Sequence, residues 1–188
     1  MYRFFFKKQL RILIFTNAII LLAAAMLGPI YAIYVEKIGG DLMDASIAGS
    51  IFSFVAGITA LISGKYSDKI KENELIIVLG YTVMGIGFLL YLWVSSVFSL
   101  FIVQAIIGFG EAIYFPAFDT IYSKYINHNK SGIQWGAWES MYYFVTAIGA
   151  IIGGSLVTLF GFKIMFLIMS FLCFTSALYL YFLKRDVL

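Results

Sequence analysis

Six long apolar stretches, separated by short polar ones, organise this chain. They run from about Ile12 to Val35, Met43 to Ser63, Leu75 to Val94, Val97 to Ile121, Trp135 to Phe160 and Phe162 to Leu183. Each reaches the roughly 20 residues that an α-helix needs to cross a hydrocarbon core about 30 Å thick. A β-barrel would alternate polar and apolar positions in segments of about ten residues, and these runs are too long and too uniform for that. The pattern predicts an all-α integral membrane protein, a single six-transmembrane-helix bundle occupying 1–188. Spans three and four turn over near Ser95 and Ser96, and spans five and six near Gly161. The connections 64–74 and 122–134 are longer and carry most of the loop charge.

Composition agrees: 62% of the 188 residues are hydrophobic and 12% charged, where a soluble domain is about half apolar and a quarter charged. The placement of the charges gives an orientation. Arg3, Lys7, Lys8 and Arg11 precede span one, and Lys65, Lys69 and Lys71 follow span two. Lys124 and Lys130 follow span four, and Lys184 and Arg185 follow span six. Only Lys37 and Lys163 fall on the other side. That bias predicts a multi-pass protein of the cell (plasma) membrane with both ends in the cytoplasm. The net charge of +3 is thus a matter of topology, and no clustered basic soluble surface points to nucleic acid. A first run of about 24 residues is too long for a cleaved signal peptide, so it reads as a retained helix. Cys173, the single cysteine, excludes an intrachain disulfide and reads as a small packing residue.

Candidate chemistry is sparse and concentrated in spans one and four. Span one carries Asn17, Ala24, Gly28 and Tyr31 on one stripe, with Pro29 expected to bend the helix in its outer half. Span four places Gln104, Gly108, Glu111, Phe115, Asp119 and Tyr122 on one face. These two stripes are the candidates for lining a hydrated cavity. Glu111 falls near the membrane midplane, where a charge costs about 2.5–3.5 kcal/mol even on the lenient insertion scale. No Lys, Arg or His lies inside a span to pair with it. It is therefore either protonated and hydrogen-bonded, with Gln104 on its face, or open to a water-filled cavity as a proton or cation site. Asp119 and Glu139, near the same membrane surface, are either solvated or paired with Lys65, Lys69 or Lys124.

Enzymatic and metal chemistry find no support. A membrane-embedded serine protease needs a Ser and a His on neighbouring spans, and the only histidine, His128, is in a connection. One His and one Cys make no metal site, and no Gly-rich loop ending in Lys-Ser or Lys-Thr is present to hold ATP. No cofactor is expected, and most of the aromatic content reads as lipid-facing or interfacial. Small residues recur at helical spacing in span two (Ser46, Ser50, Ser53, Gly57, Ala60, Gly64) and span five (Gly136, Ser140, Ala147, Ala150, Gly154, with Gly149 and Gly153). Such seams let helix backbones approach closely in lipid. They serve either packing within the bundle or a face toward a second six-helix unit.

Between spans two and three, Gly64-Lys-Tyr-Ser-Asp68-Lys69-Ile-Lys71-Glu72-Asn73 resembles the G-x-x-x-D-R/K-x-G-R/K-R/K signature of the major facilitator superfamily, at that family's position for it. Gly64, Asp68 and Lys69 match; Lys71 replaces the second glycine. Gln104-Ala-Ile-Ile-Gly108-Phe-Gly110 resembles the family's R-x-x-x-G-x-G pattern with glutamine for arginine. Gly149-Ala150-Ile-Ile-Gly153-Gly154 resembles G-P-x-x-G-G with alanine for proline. The resemblance covers all six spans in order and implies one half of a twelve-helix transporter, whose two halves hold substrate between them. It implies a secondary transporter of small solutes by alternating access, acting as a homodimer or with a second six-helix half. Spans one and four would line the cavity and spans two and five the interface. Asp68 and Lys69 would form a cytoplasmic gate with Asp119 or Glu139. The alternatives are a non-transporting interaction or scaffold subunit and a partial gene product.

Overall fold

A computed structural model describes residues 6–184 and 187–188; Arg3 and Arg185, two of the charges behind the predicted orientation, lie outside them. Among the described residues there is no strand. Six helical segments are long and apolar enough to cross a membrane: Lys8–Lys37, Leu42–Ser67, Asn73–Trp93, Val97–Tyr125, His128–Phe160 and Phe162–Tyr181. These are spans one to six, in the expected number and order. The connections expected over 64–74 and 122–134 are shorter than that. Span two stays helical to Ser67 and span four to Tyr125, because leaving the apolar core removes no backbone hydrogen bond, and polar residues such as Lys65 and Lys124 are good helix formers.

Where the helices begin and stop is set by local chemistry. Span two opens on a reciprocal cap: Asp44 N–H donates to Asp41 Oδ1 (2.9 Å) and Asp41 N–H to Asp44 Oδ2 (3.0 Å). Span four opens on the same device in Ser96 and Ser99, and such caps contribute about 1 kcal/mol each. One residue, Gly161 at φ 80°, ψ 171°, joins spans five and six, a conformation open in practice only to glycine. In span one, the α-helix Lys8–Leu27 gives way to a 3₁₀ turn, Gly28–Ile30, before resuming as Tyr31–Lys37. That is the interruption expected of Pro29, which has no N–H to give the preceding turn.

The spans pack as a curved row. Span four contacts spans two and three, span three also contacts span six, span six contacts span one, and span one contacts span five. Spans one and four, near the two limbs of this row, meet over only a short stretch. The end helices are the least covered. Only 11% of the apolar core of span two and of span five is buried, against 44–50% in the other four. Close approaches hold the row together, since lipid tails offer helices no hydrophobic drive to associate. A Cβ on Gly80 would sit 2.7 Å from the Gly110 carbonyl oxygen, and one on Gly149 would sit 2.8 Å from Ala25 Cβ. Span six is stitched to both neighbours: Ser170 Oγ donates to the Gly85 carbonyl (2.8 Å) and Ser176 Oγ to that of Thr16 (2.9 Å).

Most of the described aromatic residues are exposed or half-buried, and a minority cluster inside the bundle. Tyr34, Tyr91, Phe162 and Phe166 form one cluster at the end of the bundle farthest from the N-terminus. Phe115, Phe118, Tyr122, Trp135 and Trp138 form another nearer the N-terminal side. Period and composition mark a ring as apolar but carry no information on which helix it meets.

Candidate half-cavity between spans one and four

Glu111 is the central residue of the 29-residue helix Val97–Tyr125. It is partly buried, and among the described residues its carboxyl has neither an ion-pair nor a hydrogen-bond partner. It borders two hollows of about 310 Å³ each. The first is walled by all of the first four spans, with Ala24 and Tyr31 from span one, Phe52 from span two, Phe88 and Tyr91 from span three, and Gln104 from span four. The second lies between spans two and four, against Gly57, Ala60, Phe115 and Pro116. Gly108 is what lets span two come so near: its missing side chain is replaced by the backbone of Phe52. Two positions on, Gly110 gives the same close approach to Met84 of span three. The two glycines of the G-x-G pair thus serve opposite faces of one helix.

Gln104 closes the far end of the first hollow. Its Nε2 donates to Tyr31 Oη (2.7 Å) and to Tyr91 Oη (3.1 Å), so both donors of one neutral amide are used and spans one, three and four are tied together. Gln104 is therefore partnered by tyrosines, and among the described residues it makes no hydrogen bond to Glu111, the bond that one of the two readings of Glu111 used. Tyr91 is itself fixed by stacking on Phe166, centroids 4.5 Å apart, and its carbonyl accepts from Tyr34 Oη (3.4 Å). Asn17 does not border either hollow. It is 1% exposed, and its Oδ1 accepts from Trp138 Nε1 of span five (3.2 Å), while its Nδ2 has no partner among the described residues.

Below Glu111 the helix contains Pro116, which has no N–H for the carbonyl of Ala112 four residues back. That carbonyl accepts instead from Ser63 Oγ of span two, at 2.5 Å. The backbone beside Glu111 is thus held by a neighbouring helix. Tyr122, on the expected cavity stripe, is sealed: it is fully buried and its Oη donates to the Gln134 carbonyl (2.6 Å).

The predicted gate residues are not brought together. Asp68 ends span two, with its N–H donating to the Gly64 carbonyl (3.3 Å), and is exposed, as are Lys69 and Glu139. Asp119 is partly buried. Among the described residues no ion pair links any of them. A Cβ on Gly64 would sit 4.0 Å from Pro116 Cβ across the span two–span four contact. The turn is held by Asn73, whose Nδ2 donates to the Ser67 carbonyl (3.1 Å). Ser53 and Gly57 are exposed on span two; Gly149 and Gly153 are buried against span one, and Ala150 and Gly154 are partly covered. Among the described residues no group of three or more His, Cys, Asp or Glu is placed to hold a metal ion. Tyr91, Ser63 and Trp138 have central places that sequence reasoning missed; Pro116, one of two prolines, was a visible signal.

The profile of the Major Facilitator Superfamily matches residues 13–187. An uncharacterized MFS-type transporter of Methanocaldococcus jannaschii is 25% identical over 181 residues, covering 96% of this chain and 47% of its own. The multidrug resistance protein MdtG of Dickeya zeae is 23% identical over 169 residues, 87% of this chain and 41% of its own. That of Yersinia enterocolitica is 26% identical over 173 residues, with 88% and 41% covered. The chain spans less than half the length of these relatives.

Proposed function

Since the chain belongs to the Major Facilitator Superfamily, a family of transporters rather than catalysts, we propose that it works as one six-helix half of a secondary transporter that moves small amphipathic solutes by alternating access. The second half is a further six-helix unit, another copy of this chain or a separate bundle, related by an axis along the membrane normal. Spans two and five face that unit, and spans one and four give one wall of the cavity. Both ends lie in the cytoplasm of a cell whose plasma membrane carries the protein, following the excess of Lys and Arg on that side.

One observation carries this reading: the lone carboxyl of Glu111, at the middle of span four, borders a hollow walled by four spans and, among the described residues, has no ion-pair partner. A carboxyl so placed is tolerated in hydrocarbon only if it takes up a proton or meets a cation. With Phe52, Phe88, Tyr31 and Tyr91 around it, the wall suits an apolar solute bearing a positive charge. The names of the multidrug relatives are in keeping with such a solute. Flux of a fluorescent lipophilic cation into proteoliposomes under an imposed pH gradient tests it. Glu111→Gln is expected to abolish the gradient-driven component, and flux unchanged in that variant would sink the role of Glu111.

A further inference from the structure

Away from this half-cavity, a recess of about 840 Å³ opens on the outer flank of the bundle where spans one, five and six meet near the N-terminal side. Two alanines, one from span one and one from span five, are among the residues that line it. On the inner side of the pair, Trp138 reaches Asn17; on the outer side, Ala18 and Ala137 leave the gap unfilled, with Phe15, Met141 and Tyr179 as its walls. The recess has a polarity gradient along span one. Lys8, Arg11, Phe15 and Ala18 recur at spacings of three and four, hence on one face of the helix. They pass from two cations through an aromatic ring to a methyl group over ten residues, about 15 Å. That is the depth of one leaflet of a bilayer whose hydrocarbon core is about 30 Å.

Both cations are available. Lys8 and Arg11 are exposed, and among the described residues neither has an ion-pair partner. Lys7, by contrast, is turned to the ring of Tyr125, 5.8 Å from its centroid. Among the described residues, no acidic side chain borders the recess. Arg offers a planar fork suited to two phosphate oxygens, and Lys adds a second positive charge one turn away.

We propose that this recess is a specific site for one anionic phospholipid of the adjoining leaflet, its phosphate held by Lys8 and Arg11 and an acyl chain laid over Ala18 and Ala137. The site depends on membrane insertion alone and stands whether or not the transport reading does. Each cation near an anionic lipid contributes about fivefold, so the pair gives roughly thirtyfold in favour of an anionic over a zwitterionic lipid.

The chain is purified from bilayer nanodiscs of equal parts phosphatidylcholine and phosphatidylglycerol, and the lipids it retains are counted by native mass spectrometry. One phosphatidylglycerol per chain is expected. Lys8→Gln with Arg11→Gln should erase the preference while leaving a chain in place, and Ala137→Phe should expel lipid of either charge with both cations intact. Thermal melts of each variant establish that the bundle is folded. Equal retention of the two lipids, a preference that survives loss of both cations, or a second copy of the chain covering the recess would each overturn the site.

Discussion

Spans two and five hold equivalent places at the two ends of the row, and each has one strip of small residues against the bundle and another left uncovered. In span five, Gly149 and Gly153 lie on the backbone of span one, where a Cβ at Gly153 would overlap Met26. Gly154, the next residue, would meet nothing within 4 Å. In span two, the backbone of Phe52 fills the notch at Gly108 and Ser63 donates to Ala112, while Gly57 would meet nothing within 4 Å. The glycines of span three differ: Gly80, Gly85 and Gly87 all face side chains or backbone of neighbouring helices within 3.2 Å. A glycine in these helices therefore has no fixed meaning. Its role depends on whether a second backbone comes within reach: span five carries both kinds, whereas the glycines of span two meet no neighbouring backbone and it is Gly108 of span four that lets the two helices touch.

The largest effect should come from filling the covered strip. Gly153→Leu forces a branched side chain into the space held by the Met26 backbone, which cannot yield as a flexible side chain does. Overpacking of this kind costs about 3 kcal/mol or more. Equilibrium unfolding in mixed micelles should show that loss, with span five freed from span one. A variant as stable as the parent would mean that the two helices are not packed through Gly153.

A smaller effect tests how span two is held. Removing the Ser63 hydroxyl strips the Ala112 carbonyl of the donor that span two supplies, where Pro116 offers none. Ser63→Ala should cost about 1–2 kcal/mol, the penalty of a buried unpaired carbonyl. Pro116→Ala restores an N–H within the helix, so in that background Ser63→Ala should cost much less. The double-mutant cycle measures the difference, and additive losses would break the proposed link between the proline and the serine.

Much of this was legible in the chain itself, and the limit has a physical cause. Six spans follow from hydrophobic length, and Glu111 stands out because a carboxyl in hydrocarbon is costly wherever its neighbours lie. The kink at Gly28–Ile30 follows from Pro29 alone. The bond of Gln104 to Tyr31 joins residues 73 apart in sequence, and that of Trp138 to Asn17 joins residues 121 apart. No periodicity along one helix encodes such pairings. The same limit applies to span five, where Gly149–Gly153 and Ala150–Gly154 are two small pairs one position apart, both at four-residue spacing. Sequence marks both pairs as able to pack and cannot say which one meets span one. The gate motif has a different limit: Asp68 and Lys69 fall at an exposed helix end, where a surface ion pair contributes less than about 1 kcal/mol, so the pattern of charges does not by itself select a partner.

The smallest effect on the bundle itself should come from the uncovered strips, and it is the most informative. Gly57→Leu and Gly154→Leu place side chains where nothing lies within 4 Å, so unfolding of the isolated bundle should change by no more than about 0.5 kcal/mol. If these strips meet a second six-helix unit, the same leucines hold the backbones apart, and association is lost while folding is kept. Disulfide crosslinking between copies carrying Ser53→Cys and Ala150→Cys, with Cys173→Ala to remove the native thiol, reads that directly. The crosslink should form in native membranes and disappear when either leucine is added. Failure of the crosslink to form even without the leucines would leave the strips facing lipid, and a partner would then have to meet the bundle through the rim of the Glu111 hollow; a crosslink that persists with a leucine added would mean that the units meet beside Gly57 and Gly154 rather than through them. A stable bundle that no longer crosslinks would separate what folds this chain from what pairs it.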